Sequence, residues 1–303
     1  MTRSATRTVR PEPSASPDRT PPYADLYIYY LRGCPGDARG AFTGDGFIGN
    51  WQEEETAFLF FDRPALHRVE GIVKGSPHLE LLDHFHMSYE DWQGGRLATF
   101  REGRFAVVPA WEAAGGDGQE AFTLRLDPGV VFGAGTHPTT RDCLSLLDTL
   151  FQRERIETAL DLGTGTGLLA LGSACLGCRR TLAVDFNLLS VRTARENIRI
   201  NGFESAAWAV QGRAECLIDC RADLLIANLH YDVMKDLIGS PSFLEKRWFI
   251  LSGLLRSEAA AVEAMLARRP VEILEKRTRD TIWSTYLGMT PDAVRGNDRR
   301  DGA

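Results

Sequence analysis

The sequence has no apolar run approaching the roughly 18 residues that a bilayer-spanning helix requires, so no membrane contact through such a helix is expected. It also lacks an excess of basic charge. Thirty-five Lys and Arg stand against 41 Asp and Glu, a net charge of −6, whereas a broad nucleic-acid footprint normally needs the opposite balance. An acidic chain suits a basic protein partner instead. Cysteine is sparse at six residues. The spacings Cys175-x-x-Cys178 and Cys216-x-x-x-Cys220 could chelate zinc. Small buried thiols are common in cores, however, so the expectation is a reduced chain without a metal site. The first 22 residues have no apolar core and so are not a secretory signal. Pro11, Pro13, Pro17, Pro21 and Pro22 lie there among Ser, Thr and Arg, which reads as a disordered tail. Arg3, Arg7, Arg10 and Arg19 have the composition of a transit peptide, but the prolines spoil an amphipathic helix, and the expected location is the cytoplasm.

A length of 303 residues suggests about two domains. The expected division is a tail over 1–22, an α+β module over 23–110, a linker over 111–125, a cofactor domain over 126–289 and a tail over 290–303. In the first module, residues 26–30, 57–61 and 104–108 read as strands, and residues 63–74 and 79–91 as helices. From Thr139 the pattern alternates. Helices are expected over 139–152, from 168, over 189–200, from 231 and over 257–267. Between and after them lie strands at 159–162, 181–184, 207–210, 224–227, 248–251, 271–276 and 282–287. Alternation of this kind implies a doubly wound parallel sheet with ligands at the carboxyl ends of its strands. The last two strands leave no room for a helix between them and are expected to pair as a hairpin, which adds an antiparallel strand.

Residues 159–167 read Ala-Leu-Asp-Leu-Gly-Thr-Gly-Thr-Gly, and Asp185 stands 22 positions after Gly163, at the end of the next strand. A glycine turn between strand and helix lets the backbone approach a nucleoside, and the later carboxylate can hold both ribose hydroxyls. The bland alternative is a tight turn with spare glycines. A dinucleotide fingerprint would need glycine where Leu168 stands, and Asp161 would repel a pyrophosphate. The compact turn of Gly163, Gly165 and Gly167 beside Asp161 suits a cation-bearing adenosine compound better, and S-adenosylmethionine is the expected cofactor.

Residues 227–231, Ala-Asn-Leu-His-Tyr, close a strand at the crevice. The Asn228 side-chain carbonyl and a backbone carbonyl from Leu229 could grip an attacking amine, with Tyr231 as an aromatic wall; Asn228 could equally cap the next helix. Methyl transfer to an amine is an in-line displacement that needs alignment, dryness and a neutral amine rather than a strong base. Residues 133–140, Gly-Ala-Gly-Thr-His-Pro-Thr-Thr, form a loop able to close over the cofactor. There Thr140 could bind the methionine end or serve the helix start, and His137 reads as a loop hydrogen-bonding residue.

These segments, with Arg-Phe-Ala-Val-Val-Pro-Ala-Trp-Glu at 104–112 and Leu-Ser-Gly-Leu-Leu at 251–255, resemble the bacterial ribosomal protein L-eleven methyltransferase family (PrmA type) over residues 91–287. The resemblance implies a Rossmann-like, seven-stranded class I methyltransferase sheet behind an N-terminal ferredoxin-like domain. It also implies S-adenosylmethionine-dependent N-methylation of lysine side chains on a large-subunit ribosomal protein, with the N-terminal amine a further candidate acceptor. Family cofactor contacts fall on Thr140, Gly163, Asp185 and Asn228. Asn187 stands where the family usually has Asp. The Leu-His-Tyr after Asn228 is similar to the Asn-Pro-Pro-Tyr loop of glutamine and nucleic-acid amine methyltransferases without its prolines, so another protein lysine or a glutamine is an alternative acceptor. A nicotinamide-dependent oxidoreductase and a non-catalytic binding module are more distant alternatives. The first 90 residues show little family signature, and the sequence leaves the oligomeric state open.

Overall fold

The computed structural model describes residues 20–35, 44–53, 55–112 and 122–291. The expected N-terminal tail up to residue 19, the linker over 113–121 and the C-terminal tail from 292 lie outside the described residues.

The N-terminal module consists of β1 (Asp25–Arg32), β2 (Phe47–Glu53), β3 (Thr56–Phe61), α1 (Leu66–Lys74), β4 (Glu80–Ser88) and a single turn of helix, α2 (Tyr89–Trp92). Its sheet has the order β2-β3-β1-β4 with every pair antiparallel, the strand order of a ferredoxin-like fold. The helix expected over 79–91 is corrected: β4 pairs with β1 from Asp25↔Ser88 to Arg32↔Glu80. The free edge of β1 supplied a ladder that local propensity could not foresee. Only Tyr89–Trp92 are helical, started by Ser88, whose hydroxyl accepts from the Asp91 amide. The two faces of this sheet differ. One packs Tyr29, Leu31, Leu59 and Phe61 on Val69 of α1. The other packs Leu26, Ile28 and Phe60 on Val130, Val131 and Leu189 of the cofactor domain.

Next come β5 (Phe100–Glu102), β6 (Phe105–Pro109) and β7 (Phe122–Leu126), a small sheet in which β6 and β7 run parallel. This small sheet draws its strands from either side of the expected divisions. β6, read with the N-terminal module, buries Phe105 and Val107 in the same core as Leu144 and Leu168. β7 falls inside the segment read as a linker. Their pairing joins two segments far apart in the chain, which periodicity within either one does not announce.

The cofactor domain follows as α3 (Pro138–Arg153), β8 (Thr158–Leu162), α4 (Leu168–Cys175), β9 (Arg180–Asp185), α5 (Leu188–Ile200), β10 (Ala207–Gln211), α6 (Ala214–Leu217), β11 (Leu224–Asn228), α7 (Tyr231–Gly239), β12 (Trp248–Leu255), α8 (Arg256–Leu266), β13 (Glu272–Arg279) and β14 (Trp283–Met289). Its sheet has the order β10-β9-β8-β11-β12-β14-β13, parallel except for β14. The last two strands do form the expected hairpin, with β14 inserted between β12 and β13. One face packs on α3, α4 and α5 through Leu144, Leu171 and Val191; the other packs on α7 and α8 through Leu237 and Val262. Burial on both faces explains the unbroken apolar runs of β11 and β12. The strand order reverses between β8 and β11, which opens the crevice at their carboxyl ends. Among the described residues, no helix is long and apolar enough to cross a membrane.

Candidate active site

β8 ends at the glycine turn. Gly163, Gly165 and Gly167 take φ of 75°, 53° and 83°, in the left-handed region that a side chain would disfavour. Each backbone N–H of the turn already has an acceptor. Gly163 and Thr164 donate to the Val184 carbonyl, Thr166 to that of Phe132 and Gly167 to that of Thr164, while Gly165 donates to Asp185 Oδ2 at 3.0 Å. Donors spent in this way cannot cradle a pyrophosphate. Beneath the turn, Asp161 is buried, and Thr164 Oγ1 donates to its Oδ2 at 2.5 Å. Its Oδ1 is buried with no hydrogen-bond partner. Burial, only partly offset by the Thr164 hydroxyl and the Ala170 backbone N–H, pushes this carboxyl up to about 7. An unpartnered buried carboxylate oxygen is a natural counter-charge for an ammonium or other cation.

Asp185 closes β9 next to the turn. Its Oδ1 accepts from the Asn187 amide at 2.9 Å, and each oxygen keeps a lone pair that a ribose hydroxyl could use. Burial raises its pKa, while the Asn187 and Gly165 amides oppose the shift. Phe186, the next residue, is 48% exposed beside the acid. The sequence departure at Asn187 has a local role here: its Oδ1 accepts from the Leu189 amide and caps α5.

The loop before α3 folds over the glycine turn. Thr166 Oγ1 donates to the Gly133 carbonyl at 2.7 Å, and a Cβ on Gly165 would stand 2.3 Å from the Phe132 carbonyl oxygen. His137 caps α3, its Nδ1 lying 2.7 Å from Thr139 Oγ1. Burial lowers its pKa and so favours the neutral ring. That ring sits between Phe132 and Trp283, with centroid distances of 5.4 and 4.7 Å.

Thr140, in the first turn of α3, and Asn228, at the end of β11, meet across 88 residues: Asn228 Nδ2 lies 3.5 Å from Thr140 Oγ1. At that length the bond is weak and open to replacement by a ligand. The cap position of α7 belongs to His230, so the Asn228 side chain is directed at Thr140 rather than at its own helix. Tyr231, expected beside Asn228, opens α7, and its ring contact is with Lys235, whose Nζ lies 5.8 Å from the ring centroid. The structure thus brings Asp161, Gly163, Gly165, Gly167 and Asp185 together at the turn and joins Thr140 to Asn228, while Tyr231 packs at the edge of the core under α7 and contacts Lys235.

Two supports were missed in the sequence reading. Gly253, at φ 84°, lets β12 approach the Asn228 loop; a Cβ there would lie 2.7 Å from the Leu229 carbonyl oxygen and 3.0 Å from Asn228 Oδ1. Its signal was the Leu-Ser-Gly motif, which was read only as a resemblance. The second is Asp142, two residues beyond Thr140, which pairs with Arg279 at 2.8 Å. That contact depends on the insertion of β14, for which the sequence carries no local sign. Among the described residues no three His, Cys, Asp or Glu are grouped to hold a metal. Cys178 instead donates to the Ile156 carbonyl, and burial pushes its thiol up to about 12.

A family model for ribosomal protein L11 methyltransferase (PrmA) matches residues 78–289. The chain is 33% identical over 205 residues to the ribosomal protein L11 methyltransferase of Desulforamulus reducens, covering 65% of each. It is 30% identical over 188 residues to that of Staphylococcus aureus, covering 61% of this chain and 59% of the relative. The chain therefore spans just under two thirds of the length of these curated relatives. A solved ribosomal protein L11 methylase from Lactobacillus delbrueckii subsp. bulgaricus superposes with a TM-score of 0.57 at 28% identity, over 64% of this chain and 99% of that one. Because the family match takes in everything from β4 to the end of β14, the chain belongs to the ribosomal protein L11 methyltransferase (PrmA) family.

Proposed function

We propose that the chain is an S-adenosylmethionine-dependent protein N-methyltransferase that methylates lysine side chains of the large-subunit ribosomal protein L-eleven, with the N-terminal amine as a second acceptor. The observation that carries the cofactor assignment is the buried, unpartnered Asp161 oxygen below a turn whose amides are all spent. Such a floor favours a cation and offers nothing to a pyrophosphate, which also weighs against a nicotinamide dinucleotide. Bound there, S-adenosylmethionine supplies an electrophilic methyl group carried on a sulfonium. Asp185 would hold the ribose diol and Asp161 would face the ammonium, with Thr140 next to Asn228.

Asn228 Oδ1 and the Leu229 carbonyl accept the two hydrogens of a neutral acceptor amine and aim its lone pair along the displacement axis. A free lysine is mostly protonated at neutral pH, with a pKa of about 10.4. Burial against Phe132, His137 and Trp283 favours the uncharged amine. The amine held in this way would take the methyl group as the sulfur leaves as a neutral thioether, and the methylated ammonium would then give its proton to solvent. His137 stays tied to Thr139 and serves as wall rather than base. A net charge of −6 suits a basic ribosomal protein as partner, and the cytoplasm, where such proteins are made, is the compartment this reading expects.

Transfer of labelled methyl groups by the purified full chain into total ribosomal proteins tests this reading. Label on lysines of L-eleven, located by mass spectrometry, is the expected result. Label on another protein or on a glutamine would move the acceptor assignment, and no label in any protein would end the enzymatic reading.

A further inference from the structure

The cofactor turn lies in the C-terminal domain, yet residues of the N-terminal module reach both rims of it. On one rim the Gly129 carbonyl accepts two hydrogen bonds, from Tyr89 Oη at 2.8 Å and from Gln93 Nε2 at 2.8 Å. Three residues later, the Phe132 and Gly133 carbonyls hold Thr166 of the glycine turn. Any shift of Gly129 is therefore passed along a short, hydrogen-bonded segment to the turn. On the other rim, Gly49 of β2 lies so close to α5 that a Cβ would come within 2.7 Å of Leu189 Cδ1. Two residues on, the Trp51 ring meets Phe186 edge-on at 6.4 Å. Trp51 is itself held by its Nε1–H, which donates to Glu53 at 2.9 Å, and the Phe186 carbonyl accepts from Gln211 Nε2 at 3.0 Å. Phe186 directly follows the ribose acid and presents a half-exposed ring, a surface on which a flat purine could pack.

We infer that the N-terminal module is a built-in part of the cofactor site, in which Tyr89 and Gln93 position the loop over the glycine turn and Trp51 braces Phe186 as a wall for the adenine. All three are positioning residues. The inference rests on the S-adenosylmethionine reading and adds to it that cofactor affinity is set partly from outside the methyltransferase sheet. Contact of the substrate protein with this module would then be felt at the cofactor.

Calorimetry on the full chain with S-adenosylmethionine, and with its demethylated product S-adenosylhomocysteine, tests the inference. Gln93→Ala and Trp51→Ala are each expected to raise Kd about three- to tenfold, the effect of losing one hydrogen bond or one ring contact. The loss falls on KM for the cofactor more than on kcat, and Trp51→Phe restores most of it. Val69→Ala, in α1 on the opposite side of the same sheet, is expected to lower Tm while Kd stays within twofold. The inference is overturned if both rim variants keep Kd within twofold, or if Val69→Ala raises Kd as much as they do. A wild-type chain that binds neither compound would instead overturn the cofactor reading, and the inference with it.

Discussion

The seven-stranded sheet is covered on both faces by its own helices, whereas the four-stranded N-terminal sheet is covered by α1 on one face and by Val130, Val131 and Leu189 of its neighbour on the other. The first is covered by its own helices and holds the groups proposed to do the chemistry. The second completes its burial only by docking, and its outer strand β4 leaves His84, Phe85 and His86 exposed. On this difference the seven-stranded sheet is expected to depend less on the N-terminal module for its burial than that module depends on it. Substitutions in the large sheet should accordingly be costly and chemical, and those on the exposed parts of the small sheet mild.

The sharpest way to break this comparison lies at the end of β11. Asn228→Ala removes the side-chain carbonyl proposed to orient the acceptor amine and is expected to lower kcat by about 10²–10³-fold, as loss of an orienting group in a dry site does. A kcat within fivefold of wild type would show that Asn228 does no chemistry. Next in size is the ion pair behind the acceptor site. Arg279→Ala leaves Asp142, whose side chain is only 2% exposed, without its partner. A loss of about 2–3 kcal/mol is expected, below the full cost of breaking a buried pair because Arg279 is partly solvated. Denaturant unfolding measures it, and Asp142→Asn in the same chain should recover part of the loss.

pH sharpens the contrast from within the large sheet. Asp161 is pushed up to about 7 by burial, so between an ordinary carboxylate pKa of about 4 and 7 the folded form holds a proton that the unfolded form has lost. Stability of the cofactor-free protein is therefore expected to fall as pH rises through that window. Affinity for a cationic cofactor should move the other way. It rises with pH by up to about tenfold per unit and levels off above about 7, where Asp161 is already ionised. Calorimetry in buffers of different ionisation enthalpy would detect the released proton, and an affinity that is flat from pH 5.5 to 7 would remove Asp161 from the site. The smallest effect is expected on the N-terminal sheet, where Arg32 pairs with Glu80 in the open, with side chains 61% and 59% exposed. Arg32→Ala should change unfolding free energy by about 0.5 kcal/mol or less. A larger change would mean that β4 is held by charge rather than by its ladder.

Legibility followed the same division. β11 and β12 were readable because full burial writes continuous apolar runs. The glycine turn was readable because left-handed backbone at Gly163, Gly165 and Gly167 calls for glycine itself. β4 was misread because Leu-Leu-Asp-His suits a helix as well as a strand, and only the open edge of β1 decided between them. The turn of the last hairpin was hidden as well. Asp280 and Thr281 take φ of 53° and 57° without a glycine, which tertiary pairing of β13 and β14 enforces.

What the amino-acid order determined unaided is the glycine cradle proposed to take the cofactor, because a strand, a tight turn and the next helix are set by neighbours along the chain. Tertiary structure alone decided that Thr140 would face Asn228 and that the N-terminal sheet would rest on both rims of the cradle. Those contacts join segments many residues apart, and their existence depends on which strand edges and faces remained open once the local pieces had formed.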